Sequence, residues 1–253
     1  MSVSPSAGQR LVQIGVLLAV LAAWYVITLP GHVSPLLLPA PAPVLYDFGA
    51  LLATRDLWPD LLTTAYEWVA AFALAAVAGC IIGYLVSRTR YTVEVFDPLL
   101  AGLYSIPGIL LYPLFLLFFG LGPGSKIAIG ATITFFPIVL NTIAGLSHVD
   151  RSYVTAARSM GANDLQLFGF VLLPAALPVM LTGFRLGGII GFMTILGCEM
   201  IASLAGLGHR IVALADDLES TQMFANILFA VLLGILINAG VSFAGSRGRG
   251  VAR

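Results

Sequence analysis

The residues able to do chemistry in this 253-residue chain are few and far apart. A nucleotide-phosphate loop needs GxxxxGK[ST], whose lysine meets the phosphates. The sole lysine is Lys126, followed by Ile127, so ATP hydrolysis must reside on another polypeptide. His32, His148 and His209 sit in separate stretches, and neither HExxH nor GxSxG occurs. Cys80 and Cys198 lie inside apolar runs, where thiols act as small apolar groups. The expectation is a chain that is not an enzyme and holds no metal or cofactor. Twelve Lys and Arg balance 12 Asp and Glu, so no nucleic-acid face is expected either.

What remains is a thin set of polar groups in apolar surroundings. Arg185 lies 11 residues past Pro174, about 16 Å along a helix. Charge within a membrane is costly and marks function by default. Arg185 either faces a cavity and attracts an anion, or pairs with carbonyls and snorkels toward headgroups. Glu199 is 14 residues further on, too far to pair with it, and either lines the outer mouth or caps a contact with residues 202–223. Glu67 reads as a headgroup-level anchor. Pro107, Pro113 and Pro137 remove backbone hydrogen bonds inside apolar stretches. Tyr104, Ser105, Pro107, Asn141, Arg185, Met193 and Glu199 are the candidates for a translocation path. The competing reading makes Asn141 and its like interhelical hydrogen bonds and Met193 packing.

The elements that would position these groups follow from composition. The chain is 59% apolar and 9% charged, with mean hydropathy +1.01. Soluble domains are about 45–50% apolar and about 25% charged. The surplus implies a bilayer. Runs of about 20 apolar residues give six candidate spans: 11–30, 65–87, 99–119, 126–146, 174–201 and 224–245. The fold expected is all-α and polytopic. Three parts follow: a first span with an outer segment over 1–64, a five-span core over 65–245, and a tail over 246–253. An interfacial helix is expected around Asp56–Trp68, and a short one around His209–Leu218. Arg10, Arg88, Arg90, Arg151, Arg158, Arg247, Arg249 and Arg253 would be cytoplasmic, against Arg55, Lys126 and Arg210 outside. Positive residues mark the inner side, so both termini are expected in the cytoplasm. Gly183, Gly187, Gly188 and Gly191 would permit close helix contact, such as a seam between two copies.

The connection 147–173 is patterned throughout. Asp150 or Ser152 can cap a first helix. Gly161 falls where that helix must end, and Asn163 with Gln166 forms a capping box for a second helix that runs up to Pro174. Ala156 and Ala157 leave room for another surface. From the residues alone, a docking element and an ordinary packed loop remain equally open.

This stretch resembles the EAA loop of ABC importer permease subunits: Glu-Ala-Ala, three residues, Gly, nine residues, then Ile-x-Leu-Pro. Here Thr155-Ala156-Ala157 is followed at the same offsets by Gly161 and by Val171-Leu172-Leu173-Pro174. LLPAPAPVL, FDPLLAGLYSIPGILLYPLFLLFFGLG, FFPIVLNTIAGLSHVD and GCEMIASLAGLG extend the resemblance over about residues 36–245. They are similar to the branch importing nitrate, sulfonates, taurine, bicarbonate and related solutes. The resemblance implies a type I importer fold working as a homodimer in a bacterial inner membrane. It also implies two ATP-binding cassette subunits that hold ATP and Mg, and a periplasmic or lipid-anchored binding protein. Asp150, Tyr153, Thr155, Ala156, Ala157, Met160, Gly161, Ala162, Leu165 and Pro174 would be the ATPase-coupling residues. Thr155 stands where the motif has glutamate, keeping the helix and losing a charge. A secondary transporter remains the alternative; it should show mid-membrane coupling carboxylates or an inverted repeat. A structural scaffold would leave the spacing from Ala156 to Pro174 unexplained.

Overall fold

The structure, a computed structural model, describes residues 7–29 and 32–248. Of the expected tail, Arg249 and Arg253 lie outside the described residues. Among the described residues every regular element is helical, as expected where apolar surroundings force the backbone to satisfy its own hydrogen bonds. The chain divides into two units, residues up to 57 with 210–229, and residues 58–209 with those from 230 onward.

In the first unit, α1 (Ala7–Ile27) is followed by α2 (Pro41–Ala53). Pro41 opens α2, where its missing N–H costs nothing. The Trp24 indole donates to the Pro39 carbonyl at 3.1 Å and folds the connection back on α1. Arg210 donates to the Asp56 carbonyl at 3.1 Å.

The second unit carries the long helices α3 (Leu57–Ser87), α6 (Pro123–Ser147) and α9 (Leu173–Ile201). The interfacial helix expected at Asp56–Trp68 is instead the start of α3, which runs unbroken for 31 residues. No Gly or helix-ending signal separates the two stretches. Trp68 turns inward: its Nε1 donates to the Gly188 carbonyl at 2.9 Å and its ring packs on Phe72 and Phe192.

The expected third span is bent. Helix α4 (Arg90–Tyr104) meets a 3₁₀ turn (Gly108–Leu111) and α5 (Tyr112–Phe119) at 75°. Pro107 cannot donate and disfavours helical backbone at Ile106. Among the described residues, four helices are long and apolar enough to cross a membrane, five with this bent pair as one. Six were expected. The sixth expected span corresponds to α1, whose apolar part, Leu11–Ile27, lies at the short end of the lengths that cross a bilayer.

The second helix of the 147–173 connection does not stop at Pro174. Helix α7 (Arg151–Ser159) is followed by α8 (Asp164–Leu167), a π turn (Phe168–Leu172) and α9, and the last three form one helix, Asp164–Ile201. The wider π turn lies where the Pro174 ring would otherwise meet the Phe170 carbonyl.

Helices α6 and α9 form the close seam of this unit. A Cβ at Gly183 would stand 2.6 Å from Asn141 Cβ and 2.7 Å from the Pro137 carbonyl oxygen. Gly187 meets Ile138 and Thr134 in the same way. These glycines are buried within one chain, so the seam between copies expected from them is an intrachain one. Helices α10 (Leu207–Asp216) and α11 (Ser220–Gly248) complete the order, α10 close to the short helix expected at His209–Leu218.

Candidate functional site

The connection between α6 and α9 is a pair of helices with every end closed. The Ser152 amide donates to Asp150 Oδ1 at 2.8 Å and caps α7. That amide, with the Ser152 hydroxyl, holds the Asp150 carboxyl below the usual carboxylate range. At the other end, Gly161 takes φ +82°. Its amide donates to the Arg158 carbonyl at 2.9 Å and the Ala162 amide to the Ala157 carbonyl at 3.0 Å, the double closure a left-handed glycine permits. The Gln166 amide then donates to Asn163 Oδ1 at 2.8 Å, and the Asn163 amide to Gln166 Oε1 at 3.0 Å, completing the capping box. Arg158 pairs with Asp164 across the turn.

This geometry sorts the expected coupling residues. Ala157 is buried and anchors α7, while Ala156 beside it is exposed. Tyr153, Met160 and Leu165 stand out, the last two 82% and 80% exposed. Thr155 is exposed, its hydroxyl donating to the Arg151 carbonyl at 2.9 Å. Gly161 is exposed at the turn, Ala162 half-buried, and Pro174 exposed on the continuous helix. A row of apolar side chains on a rigid, capped helix pair can seat in a complementary groove and carry motion along α9.

The path candidates are less gathered. Tyr104 stacks on Phe136 at 5.8 Å and lines an apolar recess of about 210 Å³ with Leu103, Ile106 and Ile133. Ser105, exposed at the bend, donates to the Ala101 carbonyl at 3.0 Å, and Pro107 leads into the 3₁₀ turn. Asn141 donates to the Pro137 carbonyl at 2.8 Å, bridging the proline inside α6. Arg185 Nε donates to Asn238 Oδ1 at 2.6 Å. Met193 is exposed.

Glu199 is only 1% exposed. Its Oε2 accepts from the Gly208 amide at 2.8 Å and its Oε1 from Thr64 Oγ1 at 2.7 Å. Beside it stands the cluster that sequence reasoning missed. Glu67, expected as a headgroup anchor, is 0% exposed, and Lys126, expected in an outer loop, is 2% exposed. Their charged atoms approach to 3.0 Å, and Lys126 also donates to Ser203 Oγ at 2.6 Å. Neither Glu67 oxygen accepts a well-directed hydrogen bond, so the contact is a close charge pair. The Leu207 amide donates to Thr64 Oγ1 at 2.9 Å, the Gly206 amide to Asp60 Oδ1 at 3.0 Å, and Tyr112 to the Ala202 carbonyl at 2.7 Å. The connection 202–208 is thereby stitched to α3, α5, α6 and α9. The available signal was that each of the three charges lies in a strongly apolar helix, where burial demands a partner.

Among the described residues no group of three or more His, Cys, Asp or Glu could hold a metal ion. A family model described as "Binding-protein-dependent transport system inner membrane component" matches residues 75–246. The chain is 30% identical over 242 residues to the taurine transport system permease protein TauC of Escherichia coli, covering 94% of this chain and 88% of that one. It is 33% identical over 222 residues to the putative aliphatic sulfonates transport permease protein SsuC of Bacillus subtilis, covering 88% and 80%. Among solved structures, an inward-facing MetNI methionine ABC transporter chain matches with a TM-score of 0.61 at 20% identity, covering 78% of this chain and 96% of that one.

Proposed function

The chain belongs to the family of binding-protein-dependent transport system inner membrane components, and from that premise we propose how this membrane subunit of an ATP-driven importer is organised and what it carries. Two copies form the translocation path. A separate ATP-binding cassette subunit, holding ATP and Mg, docks on each 150–173 helix pair. A periplasmic or lipid-anchored binding protein delivers solute to the opposite face. Both termini are cytoplasmic, as the eight-to-three arginine and lysine bias favours.

The observation that carries the reading is the capped helix pair, with exposed Tyr153, Met160 and Leu165 on a frame closed at Asp150, Gly161 and Asn163. ATP binding draws the two pairs together, and each motion passes into α9 because α8, the π turn and α9 are one helix. The solute is a small anion of the sulfonate class, which the relatives TauC and SsuC support by name and Arg185 supports by charge.

Co-purification with a co-expressed ATP-binding cassette subunit tests the docking. Wild-type chain is expected to recover it. Gly161→Pro, which cannot adopt φ +82°, is expected to reduce recovery at least about tenfold, the equivalent of about 1.4 kcal/mol. Undiminished recovery would sink the reading. Uptake of labelled taurine, alkanesulfonates and nitrate then separates the anion classes.

A further inference from the structure

The turn between α3 and α4, the end of α6 and one face of α7 enclose a cavity of about 810 Å³. Its lining is strongly basic, with Arg88, Arg90, His148, Arg151 and Arg158. Two of the arginines are committed. Arg90 Nε meets Glu94 Oε1 at 2.8 Å, and Arg158 pairs with Asp164. Arg88 lies 5.9 Å over the Tyr84 ring, a contact that occupies its face and leaves its N–H edge open. Among the described residues neither Arg88 nor Arg151 forms a salt bridge, although Asp164, paired with Arg158, also feels the charge of Arg88. Four arginines against the two lining carboxylates, Glu94 and Asp164, leave an excess of two positive charges in the lining.

Helical spacing separates this cavity from the docking surface. Arg151, Thr155 and Arg158 repeat at i, i+4 and i+7 and share the cavity face, whereas Tyr153, Ala156 and Met160 follow another row. Thr155 occupies the lining at the position where the EAA pattern carries glutamate. Its hydroxyl donates back to the Arg151 carbonyl, so no side-chain carboxylate from this position reaches the guanidinium groups. The departure from the motif leaves the basic cavity open.

We propose that this cavity binds a phosphate-type oxyanion, with Arg88 and Arg151 as its charge partners. Guanidinium forks match the oxygens of a phosphate in two-point contact, and two positive charges suit one phosphomonoester or two phosphodiesters. Free inorganic phosphate and the headgroup of an anionic phospholipid present this same chemistry at the membrane face.

The full-length chain, without an ATPase subunit, tests the site independently of docking. In phosphatidylcholine nanodiscs, inorganic phosphate titrated at constant ionic strength is expected to raise the apparent melting temperature saturably by about 2–4 °C. In discs containing phosphatidylglycerol, the headgroup is expected to give the shift without added phosphate. A phosphate response in phosphatidylcholine assigns the free ion, a response in phosphatidylglycerol alone assigns the lipid, and either supports the site. Arg88→Gln and Arg151→Gln are each expected to raise the half-saturating concentration at least about tenfold. Thr155→Glu, a change at an exposed position, is expected to abolish the response by supplying an internal carboxylate, and it stands as the test should the arginine variants fail to fold. No response in either disc overturns the proposal. So does an equal response to chloride, or one that survives these substitutions.

Discussion

Glu67, Lys126 and Glu199 gather at one end of the long helices, and Arg88, Arg151 and Arg158 at the other. Both are charged clusters at the margins of an apolar core, yet only the first is closed by its own chain. There the ammonium sits between a carboxylate and a hydroxyl, and Thr64 with the Gly208 amide completes Glu199. At the other end the side chains are exposed, and among the described residues two guanidinium groups form no salt bridge. Burial explains the difference in design. A charge withdrawn from water must be matched within the fold, whereas a solvated one can wait for a partner. The sealed cluster fixes a connection in place, and the open one leaves surface for other molecules.

Removing the cation from the sealed cluster is therefore expected to have the largest effect. Lys126→Met leaves Glu67 and Glu199 buried without it, which costs about 3–5 kcal/mol. The apparent melting temperature of the purified chain should fall by about 10 °C. Lys126→Met combined with Glu67→Gln removes both charges of the pair and should recover much of that loss. Arg151→Gln in the open cluster should shift the same transition by less than about 2 °C without added phosphate, since exposed charges contribute about 0–1 kcal/mol. Equal losses at Lys126 and Arg151 would erase the contrast.

The same contrast decides what could be read from the sequence. Local signals were legible because they depend on neighbours in the chain: Asp150, Gly161, Asn163 and Gln166 each end or begin a helix as their spacing implies. Apolar runs likewise located the long helices α3, α6, α9 and α11. The sealed cluster was not legible, because Glu67, Lys126 and Glu199 are brought together only by the packing of three helices and the 202–208 connection. Hydropathy also cannot distinguish a straight span from one bent by 75° at Pro107. Nor can it tell a glycine row that meets another copy from one that meets α6. Those outcomes depend on tertiary neighbours, to which composition is blind.

The helix pair can be loosened without touching the sealed cluster. Gly161→Ala places a side chain at φ +82°, costing about 1–2 kcal/mol in the turn. Nothing lies within contact distance of an added Cβ there, so backbone conformation alone is responsible. Hydrogen exchange should accelerate by about tenfold in the amides of residues 156–162. Amides around Lys126 should remain unchanged. Acceleration spreading through α6 would show that the two ends are not energetically separate.

The smallest effect is expected at the cap of α7, where it also distinguishes an open charge from a buried one. The Ser152 amide stabilises the ionised Asp150 carboxyl and holds its pKa below the usual range. A carboxyl depressed in the folded state contributes fully above its unfolded value and loses that contribution as pH falls through the folded one. Protection of the Ser152 and Tyr153 amides, corrected for intrinsic exchange, should thus hold at neutral pH and decline below about pH 4. Asp150→Asn keeps a capping oxygen without a titrating charge, and its protection should be flat over that range. A decline of equal size in Asp150→Asn would assign the acid sensitivity to another group and leave the cap with no electrostatic part in ordering the helix pair.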